Sequence, residues 1–254
     1  MRLSVVIPVL DGADFIGESL ATLDGFLTER LPDSEIIVAD DGSSDGTRSV
    51  VAACSLDRVR LVGLDRHRGK LAAVREGMAF ARGDCRVFTD ADLPYDLEAL
   101  PYLARLVVDE GFHLAVGDRT LPDSDAVPAS LPRRVATRVF SFSVRMLVTG
   151  ELFDTQCGLK AFRGDVADAL FPLTTDSGFA GDVEILYVAL KHNLAIRRIP
   201  VRLRRSAPST VRLARHALPM VVRILGLRRR WLMGCYRSPA MAAVAAQRYW
   251  EEAS

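Results

Sequence analysis

Residues 85–92 read Cys-Arg-Val-Phe-Thr-Asp-Ala-Asp, a short strand-forming run that ends in two aspartates separated by one alanine. Such a run is typical of a buried β-strand, so we expect Asp90 and Asp92 at its carboxyl end. In open α/β sheets, ligands bind at that edge. Two carboxylates there can share a divalent cation, and the cation can hold a diphosphate. An acidic loop that caps the following helix would look the same, so the pair has to be weighed with the rest of the chain.

Strand and helix patterns alternate on both sides of this run. Apolar residues recur at helical spacing between Phe15 and Leu27. Helices are also predicted over Ser49–Ala53, Leu71–Ala81, Leu97–Val108, Arg133–Val148 and Asp182–Lys191. A β-α-β alternation of this kind requires a mainly parallel sheet with helices on both faces. The sequence therefore predicts an α/β fold with a Rossmann-like sheet. The predicted strands are Leu3–Pro8, Glu35–Ala39, Val59–Leu64, Cys85–Thr89, His113–Gly117, the end of Asp154–Phe162, and Ala195–Leu203.

Size, hydropathy and cysteine spacing exclude several classes of protein. With 254 residues and 49% hydrophobic side chains, the chain is long and apolar enough to bury a core, so global disorder is excluded. It has no run of ~18 apolar residues, the length that a membrane-spanning helix requires. Its cysteines lie far apart and form no Cys-x-x-Cys motif, which indicates reduced thiols in a cytoplasmic protein without a zinc site.

The net charge of +1 conceals a basic tail on an acidic body. From Arg197 to Ser254 the chain has 13 arginines, no lysine and two acidic residues, a charge of +11, so the first 196 residues carry −10. Basic and apolar residues of Val211–Arg230 fall on opposite sides of a helical wheel, as in segments that lie on an anionic membrane. Trp231 and Tyr236 would then lie at the membrane interface. The alternative is a helix whose apolar face packs on the rest of the protein. No nucleic-acid-binding motif accompanies the arginines, so nucleic acid is not an expected partner.

Two glycine-containing turns have the composition of a nucleotide site. Asp40 and Asp41 directly follow the second predicted strand, and either carboxylate can accept hydrogen bonds from a base or ribose. The Gly-Ser-Ser turn after them lets the backbone approach a nucleotide. An ordinary turn that caps the next helix is the alternative. Gly69 and Lys70 open a helix, where backbone N–H groups and a lysine can meet a phosphate. A surface charge is the alternative for Lys70.

The order of these motifs resembles that of the family-2 inverting glycosyltransferases of GT-A fold. The shared pieces are the opening Val-Val-Ile-Pro at 5–8, the turn at 40–47, the helix start at 69–70 and Asp-Ala-Asp at 90–92. Downstream, Gly-Asp-Arg at 117–119, Asp-Thr-Gln-Cys-Gly-Leu-Lys at 154–160 and the basic strand end at Arg204 are similar to the polyprenyl-phosphate branch, which includes dolichyl-phosphate glucosyl- and mannosyltransferases. The likeness covers residues 3–210, so we expect a GT-A catalytic domain over 1–210 and a basic amphipathic extension over 211–254.

The resemblance implies roles for individual residues. Asp90 and Asp92 would bind Mg²⁺ or Mn²⁺, and Asp92, Asp154 and Arg119 would be catalytic. Arginine suits an acceptor phosphate because its planar guanidinium pairs with phosphate bidentately. The residues implied in binding the nucleotide sugar are Pro8, Asp40, Asp41, Gly69, Lys70, Asp90 and Ala91. Those implied in binding the acceptor phosphate are Arg119, Arg133, Thr137 and Arg204. Asp182, which follows a Gly-Phe-Ala-Gly loop, is a further candidate, with helix capping as its alternative role.

The implied reaction is the metal-dependent, inverting transfer of a hexose from a nucleotide sugar to a polyprenyl or dolichyl phosphate. The sequence at 154–158 is closer to the glucosyl branch, which favours a UDP-glucose-like donor over GDP-mannose. A phosphate monoester is already anionic at neutral pH, so it needs positioning more than a general base. The basic tail would place such an enzyme peripherally on the cytoplasmic face of a membrane. Two other interpretations are a glycosyltransferase with a soluble acceptor and a catalytically silent module that binds nucleotide sugar or lipid phosphate.

Overall fold

Two long buried strands lie next to each other inside the sheet. β1 (Leu3–Val9) is buried at every position, and β2 (Ser34–Asp40) is buried at all but its first residue. Continuous buried strands of this kind are typical of parallel sheets that are covered on both faces, and here the two strands pair in parallel. The computed structural model describes residues 2–124, 154–178, 180–204, 223 and 226–247.

Helices and strands alternate through the first half of the chain. After β1 and β2, this half contains α1 (Ile16–Arg30), α2 (Thr47–Ala53), β3 (Val59–Gly63), α3 (Lys70–Phe80), β4 (Cys85–Phe88), α4 (Ala99–Val108) and β5 (Leu114–Asp118). The second half adds β6 (Lys160–Arg163), α5 (Gly164–Leu170), a 3₁₀ turn at Phe171–Leu173, α6 (Ala180–Lys191), β7 (Ile196–Pro200) and α7 (Pro239–Ala246). Every predicted strand is present. The short helices α5 and α7 have no counterpart in the sequence prediction.

The strands form one seven-stranded sheet in the order β3-β2-β1-β4-β6-β5-β7. All neighbouring pairs are parallel except the two that involve β6. One face is covered by α1 and α4, whose buried residues belong to one apolar core. The other face is covered by α3, α5 and α6, whose buried residues belong to a second core. The predicted α/β architecture, a mainly parallel sheet flanked by helices, is therefore confirmed.

The reversed strand β6 determines what lies beside the aspartates that follow β4. It pairs antiparallel with β4, and Lys160 at its start lies opposite Phe88 at the end of β4. An antiparallel strand begins at the edge where its neighbour ends. Residues 154–159 therefore lie at the carboxyl edge of β4, next to Asp90.

Leu227 and Tyr236 of the C-terminal segment pack on the rest of the protein, whereas Leu232 and Met233 are exposed. Residues 226–232 are helical, and this region forms a small apolar cluster with α6. The cluster consists of Val183, Tyr187, Val188, Leu227 and Tyr236. Tyr236 is fully buried. The expectation that it lies at a membrane interface is wrong, because its ring fills this cluster.

No helix within the described residues is long and apolar enough to cross a membrane. The greater part of the amphipathic stretch Val211–Arg230 lies outside the described residues, as does the helix expected over Arg133–Val148.

Candidate active site

The first residue of α3 contacts the first aspartate after β4. Gly69 has a φ of +104°, a left-handed conformation that suits glycine, and α3 begins directly after it. The ammonium group of Lys70 donates a hydrogen bond to Oδ1 of Asp90. Desolvation favours the neutral amine, but the negative charges of Asp90 and Asp182 and the hydrogen bond to Asp90 together outweigh it and raise the pKa of Lys70. A protonated lysine therefore lies at the carboxyl edge of the sheet, at a helix start whose dipole also favours anions.

The loop before β6 lies directly against Asp90. A Cβ atom on Gly158 would stand 2.0 Å from Oδ2 of Asp90, so a side chain at this position would displace the carboxylate. The backbone N–H of Gly158 donates to the hydroxyl of Tyr95 at 3.0 Å, which holds the loop in this place. The absent side chain leaves space at the Asp90 oxygen that Lys70 does not contact.

Asp92 and Arg204 line the same small cavity. Two backbone hydrogen bonds join the chain after β7 to the loop after Asp92. The N–H of Asp96 donates to the carbonyl of Arg202 at 2.9 Å, and the N–H of Arg204 donates to the carbonyl of Pro94 at 2.8 Å. The cavity has a volume of about 30 Å³. Its other lining residues are Glu18, Ser19, Thr22 and Leu93. A predicted metal ligand and a predicted acceptor-binding arginine are thus neighbours.

Arg119 and Asp154 form a bidentate ion pair. The guanidinium donates from Nε to Oδ2 at 2.7 Å and from Nη2 to Oδ1 at 2.8 Å, and the backbone N–H of Arg119 adds a third hydrogen bond at 2.9 Å. Burial favours the neutral acid, but the hydrogen bonds and charge of Arg119 outweigh it and lower the pKa of Asp154. Because Asp154 occupies this side of the guanidinium, Arg119 can meet a phosphate only through its remaining N–H groups.

The two aspartates at the end of β2 are held by protein groups. Asp40 is fully buried, and its Oδ2 accepts a hydrogen bond from Nε of Arg48 at 2.6 Å. Asp41 accepts the backbone N–H groups of Arg68 at 2.8 Å and of Gly69 at 2.9 Å. Asp41 therefore links the turn after β2 to the residues that precede α3. Both carboxylates shape this part of the site, and their contact with a nucleotide stays a prediction.

The remaining predicted residues divide between the same edge and the segment that the structure does not describe. Pro8 lies in β1 and Ala91 between the two aspartates, and both are buried. Arg133 and Thr137 lie outside the described residues. Within the described ranges, no group of three or more His, Cys, Asp or Glu side chains could hold a metal ion. A cation at Asp90 and Asp92 would therefore take further ligands from substrate or water.

Lys160, the last residue of the motif at 154–160, is buried beneath the site, and the sequence predicts no role for it. Lys160 is fully buried and donates hydrogen bonds to Oδ1 of Asp182 and to the carbonyl of Cys157, both at 2.6 Å. Its ammonium lies 5.2 Å from the centre of the Phe88 ring. Asp182 therefore compensates the buried positive charge of Lys160, which is a role in addition to helix capping. The signal for Lys160 in the sequence is a lone lysine in an otherwise apolar run.

Comparison with known sequences points to one family. The chain matches the family model described as Glycosyl transferase family 2 over residues 4–171. It is 35% identical over 219 residues to the dolichyl-phosphate beta-glucosyltransferase of Drosophila melanogaster, and the match covers 80% of this chain and 67% of that protein. The dolichyl-phosphate beta-glucosyltransferase of Saccharomyces cerevisiae is 30% identical over 260 residues, covering 92% of this chain and 76% of that protein.

Comparison with solved structures agrees with the expected GT-A fold. Glucosyl-3-phosphoglycerate synthase from Mycobacterium tuberculosis, crystallised with Mn²⁺, uridine diphosphate and glucosyl-3-phosphoglycerate, matches with a TM-score of 0.65 and 21% sequence identity. The match covers 89% of this chain and 80% of that one, and it shows a shared fold. The resemblance expected from the sequence motifs is confirmed: the chain belongs to glycosyl transferase family 2 and is a glycosyltransferase.

Proposed function

We propose that this enzyme transfers a hexose, with inversion, from a nucleotide sugar to a polyprenyl or dolichyl phosphate. UDP-glucose is the favoured donor, and GDP-mannose is the second choice. The observation that carries the proposal is the contact between Lys70 and Asp90, which puts a cation and a helix start at the edge where a diphosphate would lie. Two relatives named dolichyl-phosphate beta-glucosyltransferase support both the acceptor class and the glucosyl donor.

The residues at this edge suit Mg²⁺ or Mn²⁺. Asp90 and Asp92 offer carboxylate oxygens, the ligands that both ions prefer. The glycine at 158 leaves space at Oδ2 of Asp90 that a Cβ would fill, whereas Lys70 contacts the other oxygen. A bound ion would neutralise negative charge on the departing nucleoside diphosphate. We propose Asp90 and Asp92 as its protein ligands.

Lys70 would bind the diphosphate of the donor. Its raised pKa keeps the side chain cationic at physiological pH. The phosphate oxygens would compete with Asp90 for the ammonium group, and the dipole of α3 would favour the same anion. Asp41, which accepts the backbone N–H groups of Arg68 and Gly69, would keep the approach to this helix in place.

Arginines would hold the acceptor phosphate. Its second pKa of ~6 makes it an anionic nucleophile at neutral pH, so orientation matters more than proton removal. Asp154 fixes Arg119 in one orientation while leaving N–H groups for the phosphate. Arg204 lines the cavity beside Asp92. Arg133 and Thr137 complete the proposed set.

A product assay tests this function. The full chain is incubated with Mn²⁺, polyprenyl phosphate and either radiolabelled UDP-glucose or radiolabelled GDP-mannose, and label in the organic phase is measured. We expect organic-phase label from UDP-glucose. Asp92→Asn should abolish it. Asp109→Asn, which removes an exposed acid just after α4, is the matched control and should retain it.

The assay also separates the alternatives. New glycoside that stays in the aqueous phase with a soluble phosphate acceptor would overturn the lipid acceptor. Binding of UDP or UDP-glucose without turnover on either kind of acceptor would indicate a silent binding module and overturn the enzymatic proposal.

A further inference from the structure

A buried carboxylate joins two segments that the proposed mechanism does not use. Glu184 of α6 has no solvent exposure, and it accepts the backbone N–H groups of Thr175 at 2.8 Å and of Asp176 at 2.7 Å. The hydroxyl of Tyr236, 52 residues later, donates to the same carboxylate at 2.6 Å. A buried carboxylate is tolerated where such donors replace water, so these bonds tie both segments to α6.

The first of these segments is residues 174–178. It is named here the donor loop, because it lies against the start of α3, where the diphosphate of the donor is proposed to bind. The carbonyl of Ser177 accepts the backbone N–H of Leu71 at 3.2 Å. A Cβ atom on Gly69 would stand 2.4 Å from the same carbonyl oxygen. Arg75 of α3 donates to the carbonyl of Asp176 at 2.9 Å. A shift of the backbone around Lys70 would therefore also require the donor loop to move.

The second segment, residues 223 and 226–236, is named the C-terminal clamp. Nε of Arg230 donates to the hydroxyl of Tyr236 at 3.0 Å and lies 3.8 Å from the carboxylate of Glu184. Arg223 forms an ion pair with Asp176 at 3.0 Å. The clamp thus contacts the donor loop directly through Arg223 and indirectly through Glu184.

We propose that the C-terminal clamp positions the donor loop, and through it the Lys70 end of α3, for binding of the donor's nucleoside diphosphate. Tyr236, Arg230 and Arg223 act through the loop, so they are positioning residues. The inference rests on the proposed function, because it takes Lys70 to bind the donor. Under this proposal the C-terminal clamp contributes to donor binding within the catalytic domain, in addition to any contact with a membrane.

Tyr236→Phe tests the proposal, because it removes the hydroxyl that Glu184 and Arg230 share and keeps the ring in its cluster. We expect the Kd for UDP, measured by calorimetry with Mn²⁺ present, to rise about 5-fold. This is less than the roughly tenfold or greater loss expected when a hydrogen bond to a charged group is removed at a binding site itself, because Tyr236 acts only through the donor loop. The KM for the donor should rise by a similar factor. The kcat and the KM for the acceptor should change by less than about 2-fold.

Tyr187→Phe is the matched control. It removes a hydroxyl from the ring that packs edge-on against Tyr236, in the same cluster. UDP affinity of this variant should equal that of wild type. In Tyr236→Phe but not in Tyr187→Phe, amide hydrogen exchange should accelerate in the donor loop and in residues 69–72.

A second variant keeps the proposal testable if Tyr236→Phe does not fold. Arg223 is 55% exposed, so Arg223→Gln should leave the core intact. It should weaken UDP binding about 2-fold, because it removes one exposed ion pair to the loop.

The outcomes separate the two proposals. A Tyr236→Phe protein that melts earlier but binds UDP like wild type would overturn the positioning role, and so would equal weakening in Tyr187→Phe. If Tyr236→Phe did not fold, unchanged UDP binding in Arg223→Gln would overturn it. Wild-type protein that binds neither UDP nor GDP would instead overturn the proposed function.

Discussion

The ammonium group of Lys70 bonds to the carboxylate of Asp90, a contact between two residues 20 positions apart in the sequence. It joins the start of α3 to the end of β4, and thus brings a helix dipole, a lysine and a carboxylate to one edge of the sheet. The lysine neutralises part of the negative charge that a divalent cation would otherwise meet at Asp90. Lys70 therefore influences both the proposed cation site and the proposed diphosphate site.

Replacement of Lys70 by glutamine separates these two influences. Lys70→Gln should raise the donor KM about 10-fold, because a charge-assisted hydrogen bond to phosphate is lost. The same variant, without nucleotide, should bind Mn²⁺ more tightly than wild type, because the ammonium no longer neutralises Asp90. Kinetics and electron paramagnetic resonance titration of Mn²⁺ measure the two effects. Arg105→Gln, which removes an exposed cation from α4, should show neither. Unchanged donor KM in Lys70→Gln would contradict the phosphate role.

Chelation should stop turnover reversibly. The proposed ion lies between protein carboxylates and substrate oxygens and is held by few protein ligands, so EDTA should remove it readily. Addition of excess Mn²⁺ or Mg²⁺ should restore product formation, and Ca²⁺, which takes more ligands at longer distances, should restore less. Product formation that persists after exhaustive chelation would remove the metal from the mechanism.

Gly158 should be far less tolerant of alanine than Gly25. In Gly158→Ala the new Cβ would stand 2.0 Å from Oδ2 of Asp90, so the loop or the carboxylate must move, at a cost of about 1–3 kcal/mol in unfolding free energy together with most of the turnover. In Gly25→Ala the new Cβ meets no atom within 4 Å, and the helix should gain about 0.5–1 kcal/mol. Denaturant unfolding and turnover assays of both variants measure this difference. A fully active Gly158→Ala protein would show that the position of Asp90 is not critical.

The Arg119–Asp154 pair predicts a specific pH dependence of stability. Since the folded-state pKa of Asp154 lies below the ordinary value of 3.8, its ionised form stabilises the fold above that value, and the contribution is lost as the pH falls through the folded-state pKa. Asp154→Asn should therefore be less stable than wild type by about 2 kcal/mol at neutral pH. The difference should shrink in strong acid. Urea denaturation across the pH range measures it.

The control for this prediction is Glu110→Gln, which removes the partner of Arg105 from an ion pair in which both side chains are exposed. Its stability should stay close to that of wild type at every pH, because exposed ion pairs contribute little. A constant difference between wild type and Asp154→Asn down to strong acid would contradict the assignment of the lowered pKa to this pair.

The cysteines should differ sharply in alkylation. Burial raises the pKa of Cys157 to about 11, so at about pH 8 its thiol is almost wholly protonated and, being buried, inaccessible. Burial likewise raises the pKa of Cys85. Cys235 is exposed. Iodoacetamide should modify Cys235 in the native protein, and Cys85 and Cys157 only after denaturation, as peptide mass spectrometry would show. The rapid adduct should disappear in Cys235→Ser, and rapid modification of native Cys157 would contradict its burial.

Local patterns were sufficient for most of the architecture but not for the pairing of acids and bases. The strand over Cys85–Phe88 and the helix from Lys70 follow from hydropathy, composition and glycine placement, which act over a few residues. Hydropathy does not predict which carboxylate forms an ion pair with a given arginine. Arg119 was expected to bind the acceptor phosphate and Asp154 to be catalytic, and the structure joins the two side chains to each other.

Local sequence patterns were also insufficient to identify what the amphipathic C-terminal segment packs against. An apolar side opposed to arginines is compatible with a membrane and with a protein surface, because both remove apolar area from water. Tyr236 packs on the protein surface, since it is buried beside α6 and bonds to Glu184, whereas Leu232 and Met233 of the same segment are exposed. The sequence could not identify this partner, because 52 residues separate the two side chains.

The amino-acid sequence by itself determined the succession of strands and helices, the position of Asp90 and Asp92 at a strand end, and the family, because periodicity and motif order are local properties of the chain. Only the tertiary structure decided that β6 runs against its neighbours, that Lys70 reaches Asp90, that Arg119 holds Asp154 and that Glu184 binds Tyr236. These relationships join residues far apart in sequence. They depend on how the helices and loops pack over one edge of the sheet, and no short stretch of sequence records that packing.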